Sequence, residues 1–544
     1  VVRAVARRRG RATPEARWSA GPAAPVPTRG PASPRQVAAA LGRVEARELA
    51  GSPWFGAGMG LLAVVYVTLG IVYADDNGEV WAEAAGLAPW FAHPLAGMTI
   101  VATHRAVTRP RRDGTEELFD TCPAAPGTRI IAALRSAVTP VVGMVAFLVA
   151  YGATIVVRSP NLHGPVGVDQ LGLLLASLVL VAGAVGLGVA LGAWVGFGLV
   201  PVVAVVAIGL VSLGIVTAGD PGWNGSSPLS TFGPQLDSPL LRPLLSVWWY
   251  LAWMAALTVL VGVVAVLRHR RDRTVLSLAV VLAAVAAGTA AMAVRPVEGA
   301  AAATVAHRIA EPGQHQVCER TGSGPVEVCT YHGYGELHAR LVAALAPVSD
   351  ALPDSVAPIV VQQRYLGRVE ELPPAVRSAL PDGLPAAGER EVRVGFSAGD
   401  GSVLAVRLRV AFLALGLSTE QVDGELPRSL AGEARGVAAL WLAARGMDAG
   451  AANTLATFKG SGEDAFGRGL AWPDGCGPVV WSPTDLEAAR AVLALPEAQV
   501  RPVVLGDLAR WSSPAVATDE LLAALQLPGL GAPEPITLRL ERWC

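Results

Sequence analysis

Long apolar segments, almost without charged residues, alternate with short polar ones over residues 1–295. Seven of these segments approach the ~20 residues that a helix needs to cross the hydrocarbon core of a bilayer. The fourth and fifth form one uncharged run that is too long for a single helix, so we predict a hairpin that turns near Gly196–Pro201. The pattern predicts an α-helical transmembrane bundle with spans at about 56–74, 87–104, 136–157, 170–194, 198–218, 244–267 and 274–294.

Small residues recur at helical spacing in the predicted hairpin. Gly188, Gly192 and Gly196 are four residues apart, so they lie on one face of a helix. Such a stripe lets two membrane helices approach closely. We interpret it as a packing surface; a substrate groove is the other interpretation.

A tail and an amphipathic segment precede the first span. Residues 1–33 are rich in Arg, Ala, Pro and Gly without apolar periodicity, which predicts a disordered cytoplasmic tail. Ser33 then resembles a helix cap, and Pro34 fits the first helical position. We predict an amphipathic helix over 34–51 that lies on the membrane surface; an ordinary surface helix is the alternative. Its charged residues include Arg43, Glu45, Arg47 and Glu48.

Arginines determine the predicted orientation in the membrane. Short loops rich in Arg stay in the cytoplasm, which applies to the start of the 105–135 loop and to RHRRDR at Arg268–Arg273. The charged residues of the loop after the first span are all acidic, and Asp75 is the first of them. These loops predict a multi-pass plasma-membrane protein with a cytoplasmic N-terminus. Everything after Arg295 is then predicted to be extracytoplasmic.

The middle of the 105–135 loop reads DGTEELFD. There the apolar Leu118 and Phe119 follow Glu116 and Glu117. A short helix of this kind can insert its apolar tip into a groove on a cytoplasmic partner. A solvated turn at the membrane interface is an equally good interpretation from the residues alone.

The region 296–544 predicts a separate soluble α+β domain. Alternating residues in QHQVCER and PVEVCTY indicate two strands joined by a turn, and further strands are predicted at 358–362 and 390–394. ELHARLVAALAPV and DLEAARAVLAL are typical of helices. We therefore expect the strands to come first and the remainder to be mostly helical.

Cysteine usage agrees with an outer location for this domain. Cys318, Cys329, Cys476 and Cys544 lie in it, whereas Cys122 alone lies before it. Disulfides persist in oxidising compartments, and four cysteines allow three pairings. We predict a Cys318–Cys329 disulfide, because a hairpin would bring these two together.

Composition excludes several classes of function. Hydrophobic residues make up 52% of the chain, charged residues 16%, and the mean hydropathy is +0.45, which indicates a membrane protein. The arginines cluster beside the spans, which argues against nucleic-acid binding. Lys459 is the only lysine and lies outside any Gly-Lys-Ser/Thr motif, so the chain has no P-loop and is not itself an ATPase. Five predicted spans contain no acid, base or histidine, which argues against transport driven by a proton or sodium gradient.

The histidines suggest one metal-site candidate. YHGYGELH contains His332, Glu336 and His338, and His315 is nearby. The spacing is not HExxH, and positions 336 and 338 point to different sides of a helix. We therefore predict surface histidines and no metal site, and we assign no catalytic residue.

The order of these elements resembles the permease subunit of type-2 ABC exporters. That family has a cytoplasmic surface helix, a coupling helix after the second span, a short turn after the fourth and partly re-entrant outer segments before the sixth. The stretches Pro34–Gly51, Arg111–Pro123, Gly196–Pro201 and Asp220–Pro243 are similar in position. RRDGTEELFDTCPAAPGTR resembles the family's loop. The resemblance covers about 34–267, with the six-span part at 56–267, whereas the seventh span at 274–294 and the outer domain depart from it.

The resemblance implies an ATP-driven exporter. A separate ABC ATPase would carry ATP and Mg²⁺, and this chain would carry no cofactor. The ATPase would dock on the 105–135 loop through Arg111, Glu116, Glu117, Leu118 and Phe119. Two permeases, identical or different, would form a dimer in the lipid bilayer. The alternatives are a membrane-anchored extracytoplasmic enzyme or peptidase, and a binding or sensor module.

Overall fold

The structure is a computed structural model that describes most of the chain. Described are residues 33–72, 81–117, 124–158, 167–217, 240–241, 247–293, 299–366, 369, 372–380, 384–385, 388–396, 400–419, 428–447, 469–470, 479–480 and 482–530. The predicted tail at 1–33 lies outside the described residues except for Ser33.

The first 293 residues are helical wherever the structure describes them at length. The helices are α1 (Pro34–Ala50), α2 (Pro53–Val72), α3 (Trp81–Arg112), α4 (Pro126–Arg135), α5 (Val138–Arg158), α6 (Val168–Trp194), α7 (Val200–Thr217), α8 (Val247–Leu267) and α9 (Arg273–Ala293). α1 begins as predicted, because Ser33 as N-cap and Gln36 at N3 form a capping box around Pro34.

Among the described residues, four stretches are helical, long and apolar enough to cross a membrane: Pro126–Val157, Val168–Trp194, Val247–Leu267 and Arg273–Ala293. A fifth is added if α1 and α2, which meet at a bend of 55°, count as one. Helices also occur at the other predicted spans, as α2, α3 and α7. Within the described residues these three do not meet the same criterion singly. The fold thus includes a helical bundle of the kind found in membranes.

The helix at the predicted second span extends beyond the predicted bounds 87–104. Its helix, α3, continues eight residues beyond His104 to Arg112. Arginine has a helix propensity similar to that of leucine and methionine, so the arginines let the helix continue. The turn comes at Gly114, whose φ of +65° suits glycine. Residues 105–112, at the start of the predicted 105–135 loop, are therefore helical.

α6 lies at the centre of the bundle, in contact with α3 on one side and α8 on another. A Cβ at Gly188 would lie 2.0 Å from Thr103 Oγ1 and 2.6 Å from the Ile100 carbonyl oxygen of α3. At Gly183 it would lie 2.7 Å from Thr258 Oγ1 of α8. Only glycine permits these approaches, so the packing interpretation of the stripe is confirmed at Gly188.

The C-terminal region is built on a mixed sheet. Its strands are β1 (Gln316–Arg320), β2 (Val326–Tyr331), β3 (Ile359–Gln363) and β4 (Glu391–Val394), all close to the predicted positions. They lie in the order β1-β2-β3-β4, with β1 antiparallel to β2 and the other pairs parallel. One face is apolar and buried: Val326, Val328, Ile359, Val361, Val392 and Val394.

The hairpin holds the predicted disulfide. Cys318 and Cys329 are directly opposite each other in the register, and their sulfurs are bonded. The alternation of the two sequences therefore predicted strands, register and disulfide together. Cys122, Cys476 and Cys544 lie outside the described residues.

The expectation that strands come first and helices afterwards was wrong. Helices α10 (Gly299–Ala310), α11 (Gly335–Ala351), α12 (Pro374–Ala379) and α13 (Asp400–Ala414) precede, separate and follow the strands. Parallel strands require such crossovers. A second sheet of β5 (Arg428–Ser429), β6 (Gly469–Leu470) and β7 (Val479–Val480) comes later, in the order β5-β7-β6. The last described helices are α14 (Ala434–Ala443), α15 (Pro483–Leu493), α16 (Glu497–Gly506), α17 (Leu508–Trp511) and α18 (Thr518–Ala524).

Two leucines from the bundle complete the core of the C-terminal region. Leu240 and Leu241, between α7 and α8, are 7% and 3% exposed and belong to the same buried cluster as Val305, Leu337 and Val361. The start of α8 and the C-terminal region therefore lie at the same end of the bundle. The α8–α9 connection lies at the opposite end, since α8 is a single straight run of 21 residues.

This arrangement generates a test of the predicted orientation. Ser378, exposed in the C-terminal region, and Arg271, exposed between α8 and α9, are replaced singly by cysteine in a chain without native cysteines. An impermeant thiol reagent should label Ser378→Cys in intact cells and Arg271→Cys only after lysis. The reverse pattern, or equal labelling of both, would contradict the orientation.

The approach of α6 to α3 generates a second prediction. Gly188→Ala adds a methyl group where Thr103 and Ile100 leave no room, and such overpacking costs about 1–3 kcal/mol. The melting midpoint in detergent should therefore fall. Gly209→Ala on α7 is the control, because its Cβ would have no atom within 4 Å. A Gly188→Ala midpoint equal to that of the control would refute the close approach.

Candidate functional site

One end of the bundle gathers the segments that the sequence predicted to be cytoplasmic. α1 packs along α4, and Thr139 Oγ1 at the start of α5 donates to the Ala46 carbonyl at 2.9 Å. His104 Nε2 lies 3.1 Å from the Val195 carbonyl in the α6–α7 turn. The Arg270 side chain lies 3.3 Å from where a Cβ at Gly127 would be. We call this surface the arginine-rich end, after Arg35, Arg43, Arg47, Arg105, Arg109, Arg111, Arg112, Arg129, Arg135, Arg268, Arg270, Arg271 and Arg273.

Ion pairs connect its segments. Arg109 Nη1 lies 2.8 Å from Glu48 Oε2 and joins α3 to α1, while Arg111 Nε lies 3.1 Å from Glu116 Oε1. All of these side chains are more than 40% exposed, so each pair contributes at most about 1 kcal/mol. The pairs orient the segments more than they stabilise them.

The last turns of α3 have two different faces. His104 and Thr108 are buried. Arg105, Arg109 and Arg112 follow at intervals of four and three residues, which places them on one exposed stripe of the same helix. The helix thus has one packed face and one cationic face.

The cationic stripe lines a cleft of about 210 Å³ where α1, α2, α3 and α4 meet. The Arg105 guanidinium lies over the Trp54 ring, 5.3 Å from its centroid. The lining residues are Glu45, Glu48, Leu49, Ser52, Pro53, Trp54, Ala102, Thr103, Arg105, Ala106, Arg109, Arg112, Ala133 and Ser136. Sequence patterns did not predict this cleft, because four separate segments form it.

Glu45 differs from the other acids of the cleft. Burial, reinforced by the charge of Glu48, raises the pKa of its carboxyl, and Arg109 partly opposes that shift. Glu45 therefore keeps its proton to a higher pH than an ordinary glutamate.

The predicted docking residues lie at the rim of this end. Glu116 and Glu117 are exposed beyond α3, and Arg111 is exposed beside them. Leu118 and Phe119 lie outside the described residues. Of the predicted surface-helix residues, Arg43, Arg47 and Glu48 are exposed and Glu45 is half-buried.

The histidines of the C-terminal region are distributed over separate contacts. His338 lies 3.1 Å from Thr330 Oγ1 and 3.2 Å from Glu319 Oε2, whereas the rings of His307 and His315 meet edge to face at 5.4 Å. Within the described ranges, one group brings three potential metal-ligand atoms within 4.8 Å, namely Cys318, Glu327 and Cys329. Its sulfurs are joined in the disulfide and cannot serve as thiolate ligands.

A buried cation in the core was missed by the sequence analysis. Arg407 is 6% exposed and donates to the carbonyls of Ala344 at 2.6 Å, Ala443 at 2.7 Å, and Arg445. Burial, with a smaller effect of nearby Arg445, lowers its pKa to about 10, so it stays charged at neutral pH. It ties α11, α13 and α14 together. The signal was visible, since RLR interrupts an otherwise apolar helix in AVRLRVAFLALGL.

A second pattern was also missed. Gly395–Gly399 reads GFSAG, which fits the Gly-x-Ser-x-Gly pattern of hydrolases with a serine nucleophile. β4 ends directly before it at Val394, and α13 begins directly after it at Asp400, which is the strand–turn–helix context the pattern requires. Ser397 itself lies outside the described residues.

The flanks of this pattern lie at a sheet edge with histidines. The Phe396 ring contacts Tyr331 at 5.6 Å and Tyr334 at 5.5 Å, on either side of His332. The His332 amide donates to the His315 carbonyl at 3.3 Å. This is the carboxyl edge of the parallel strands, where ligand sites of α/β sheets usually lie.

Comparisons of the chain with models of protein families, with curated proteins and with solved structures found no match. In the part of the chain that the structure describes, the protein is mostly helical, with four helices long and apolar enough to cross a membrane, or five with the bent α1–α2 pair, and it contains a small mixed sheet.

Proposed function

We propose that this chain is the membrane subunit of a transporter driven by a separate cytoplasmic ATPase, of the type-2 ABC exporter kind. The observation that carries the proposal is the arginine-rich end, where α1, the end of α3, α4, the α6–α7 turn and the 268–272 connection meet. An ATPase that approaches from the cytoplasm would contact all of them at once. In this proposal seven helices cross the membrane.

The contacts suggest how force would reach the bundle. Closure of the ATPase around ATP and Mg²⁺ would push on Glu116–Phe119 and on α1. The Glu48–Arg109 pair passes a displacement of α1 to α3, and the Thr139–Ala46 hydrogen bond passes it to α5. At Gly188, α3 packs so closely against α6 that the two helices cannot approach each other further. The bundle would therefore respond as a unit, in a dimer of identical or different permeases.

The C-terminal region would move with the bundle. Leu240 and Leu241 are anchored in its core and precede α8 by a few residues. A tilt of α8 would pull on that core. In this proposal the extracytoplasmic region takes part in each transport cycle, as a gate or receptor for the exported substrate.

Replacement of the apolar tip tests the proposal. Leu118→Ala with Phe119→Ala should release the ATPase, because burial of each large apolar side chain contributes roughly 1.5–3 kcal/mol. Arg111→Ala should act more weakly, since an exposed charge contributes at most about 1 kcal/mol. The measurements are retained ATPase after purification in detergent and nucleotide-stimulated transport.

Ser378→Ala, an exposed serine of the C-terminal region outside the arginine-rich end, is the control. The melting midpoint of each variant verifies that the bundle is folded. A double variant that retains the ATPase and transport at the level of the control would contradict docking at this tip.

A second candidate function is favoured by GFSAG at 395–399. In this hypothesis the C-terminal region is an extracytoplasmic serine hydrolase, and Ser397 Oγ attacks an ester carbonyl and expels the alcohol. Water then releases the acid and restores the serine. His332 and His315, at the same sheet edge, are the candidates to accept the serine proton.

A fluorophosphonate probe tests this second function. The serine oxygen would attack phosphorus and expel fluoride, which leaves the intact chain labelled. Labelling should disappear in Ser397→Ala and persist in Ser378→Ala, an exposed serine of the same region. No labelling of the native chain, or equal labelling of both variants, would contradict the hypothesis that the C-terminal region is a serine hydrolase.

A further inference from the structure

The cleft at the arginine-rich end combines cations, an aromatic ring and hydroxyl groups. Glu48 is already paired with Arg109, so its charge is compensated. Arg105 lies over the face of Trp54 and is exposed. Arg112 is exposed and contacts only its chain neighbour Asp113 among the ion pairs of the described residues. Among the ion pairs of the described residues Arg105 has none, and Arg112 has only its exposed pair with Asp113, which a phosphate in the cleft would replace.

Apolar surface continues from the cleft along the bundle. α2 begins at the cleft with Pro53 and Trp54, and α5 begins two residues beyond Ser136 in its lining. The two helices run side by side, since a Cβ at Gly143 would lie 3.3 Å from Phe55 and Met59. Their outer faces are apolar and exposed, with Val64 at 59% and Val142 at 60%. A molecule with a charged head and long apolar tails fits both surfaces at once.

We propose that this cleft binds the phosphate of an anionic phospholipid, with the acyl chains along the outer faces of α2 and α5. Guanidinium groups bind phosphate oxygens through paired, charge-assisted hydrogen bonds. Basic pockets between membrane helices near the cytoplasmic surface bind anionic headgroups in this way. Trp54 sits at the level where tryptophan is enriched in membranes, beside the headgroups.

The position of the cleft gives the lipid a role. It lies at the 55° bend between α1 and α2, and its walls include α3 and α4. A bound phosphate would join Arg105 and Arg112 of α3 to the hydroxyl of Ser52. The lipid would therefore hold α1 against the bundle. This inference requires membrane insertion but not the ATPase.

Native mass spectrometry of the full chain in detergent tests the inference. The chain is titrated with phosphatidylglycerol and with phosphatidylcholine of identical tails. The anionic lipid should bind more tightly to the native chain. Arg105→Ala with Arg112→Ala should weaken phosphatidylglycerol binding by roughly ten- to thirtyfold, as the loss of two arginines beside anionic headgroups implies.

Arg271→Ala with Arg273→Ala is the matched control, because it removes two exposed arginines of the same end that do not line the cleft. It should leave the binding within about twofold of native, since its charges lie outside the site. Arg105→Lys with Arg112→Lys keeps the charge and should bind to an intermediate degree. Melting midpoints verify that each variant is folded.

A competition experiment distinguishes binding of the lipid from binding of inorganic phosphate. Millimolar inorganic phosphate should fail to displace phosphatidylglycerol, because it cannot use the apolar faces of α2 and α5. Displacement by phosphate, equal binding of both lipids, or equal losses in the cleft variant and its control would overturn the inference. None of these measurements involves Leu118, Phe119 or a partner protein, so the result is independent of the docking test.

Discussion

The close approach of α6 to its neighbours is the constraint on which the bundle depends. Gly188 meets α3 where no side chain fits, and Gly183 meets Thr258 of α8. Membrane helices gain little from the hydrophobic effect against one another, so contacts of this kind contribute much of their cohesion. Because α6 is held between α3 and α8, the turn that follows it is held against His104. The arrangement of the arginine-rich end thus begins inside the bundle.

α3 illustrates how one helix can serve two requirements. Its packed face, with His104 and Thr108, fixes its rotation about its own axis. That rotation directs Arg105, Arg109 and Arg112 into the cleft. There Arg105 lies over the Trp54 ring and Arg109 forms an ion pair with Glu48. A shift of the packed face by one residue would rotate the arginine stripe about the helix axis by about 100° and remove its guanidinium groups from the cleft. Packing and charge placement are therefore coupled in the same few turns.

The sequence was informative where one short-range pattern decides the structure. Alternation in QHQVCER and PVEVCTY predicted the hairpin and the Cys318–Cys329 disulfide, and uncharged runs predicted most helices of the bundle. It failed where several segments must meet. The cleft needs four helices, and the core position of Arg407 needs three carbonyl groups from other elements. The helical conformation of residues 105–112 was not predicted, because the arginines were taken as the start of a loop although arginine has a high helix propensity.

Leu240 and Leu241 have a consequence for the order of assembly. They lie about 60 residues before the region whose core they complete, and two membrane helices intervene. The hydrophobic core of the C-terminal region therefore cannot form completely until the α7–α8 segment lies at the same end of the bundle as the strands. A fragment that starts after α9 would lack both leucines, and buried leucine side chains contribute roughly 2–5 kcal/mol each. The C-terminal region thus completes its core only with a segment that two long helices separate from it along the chain.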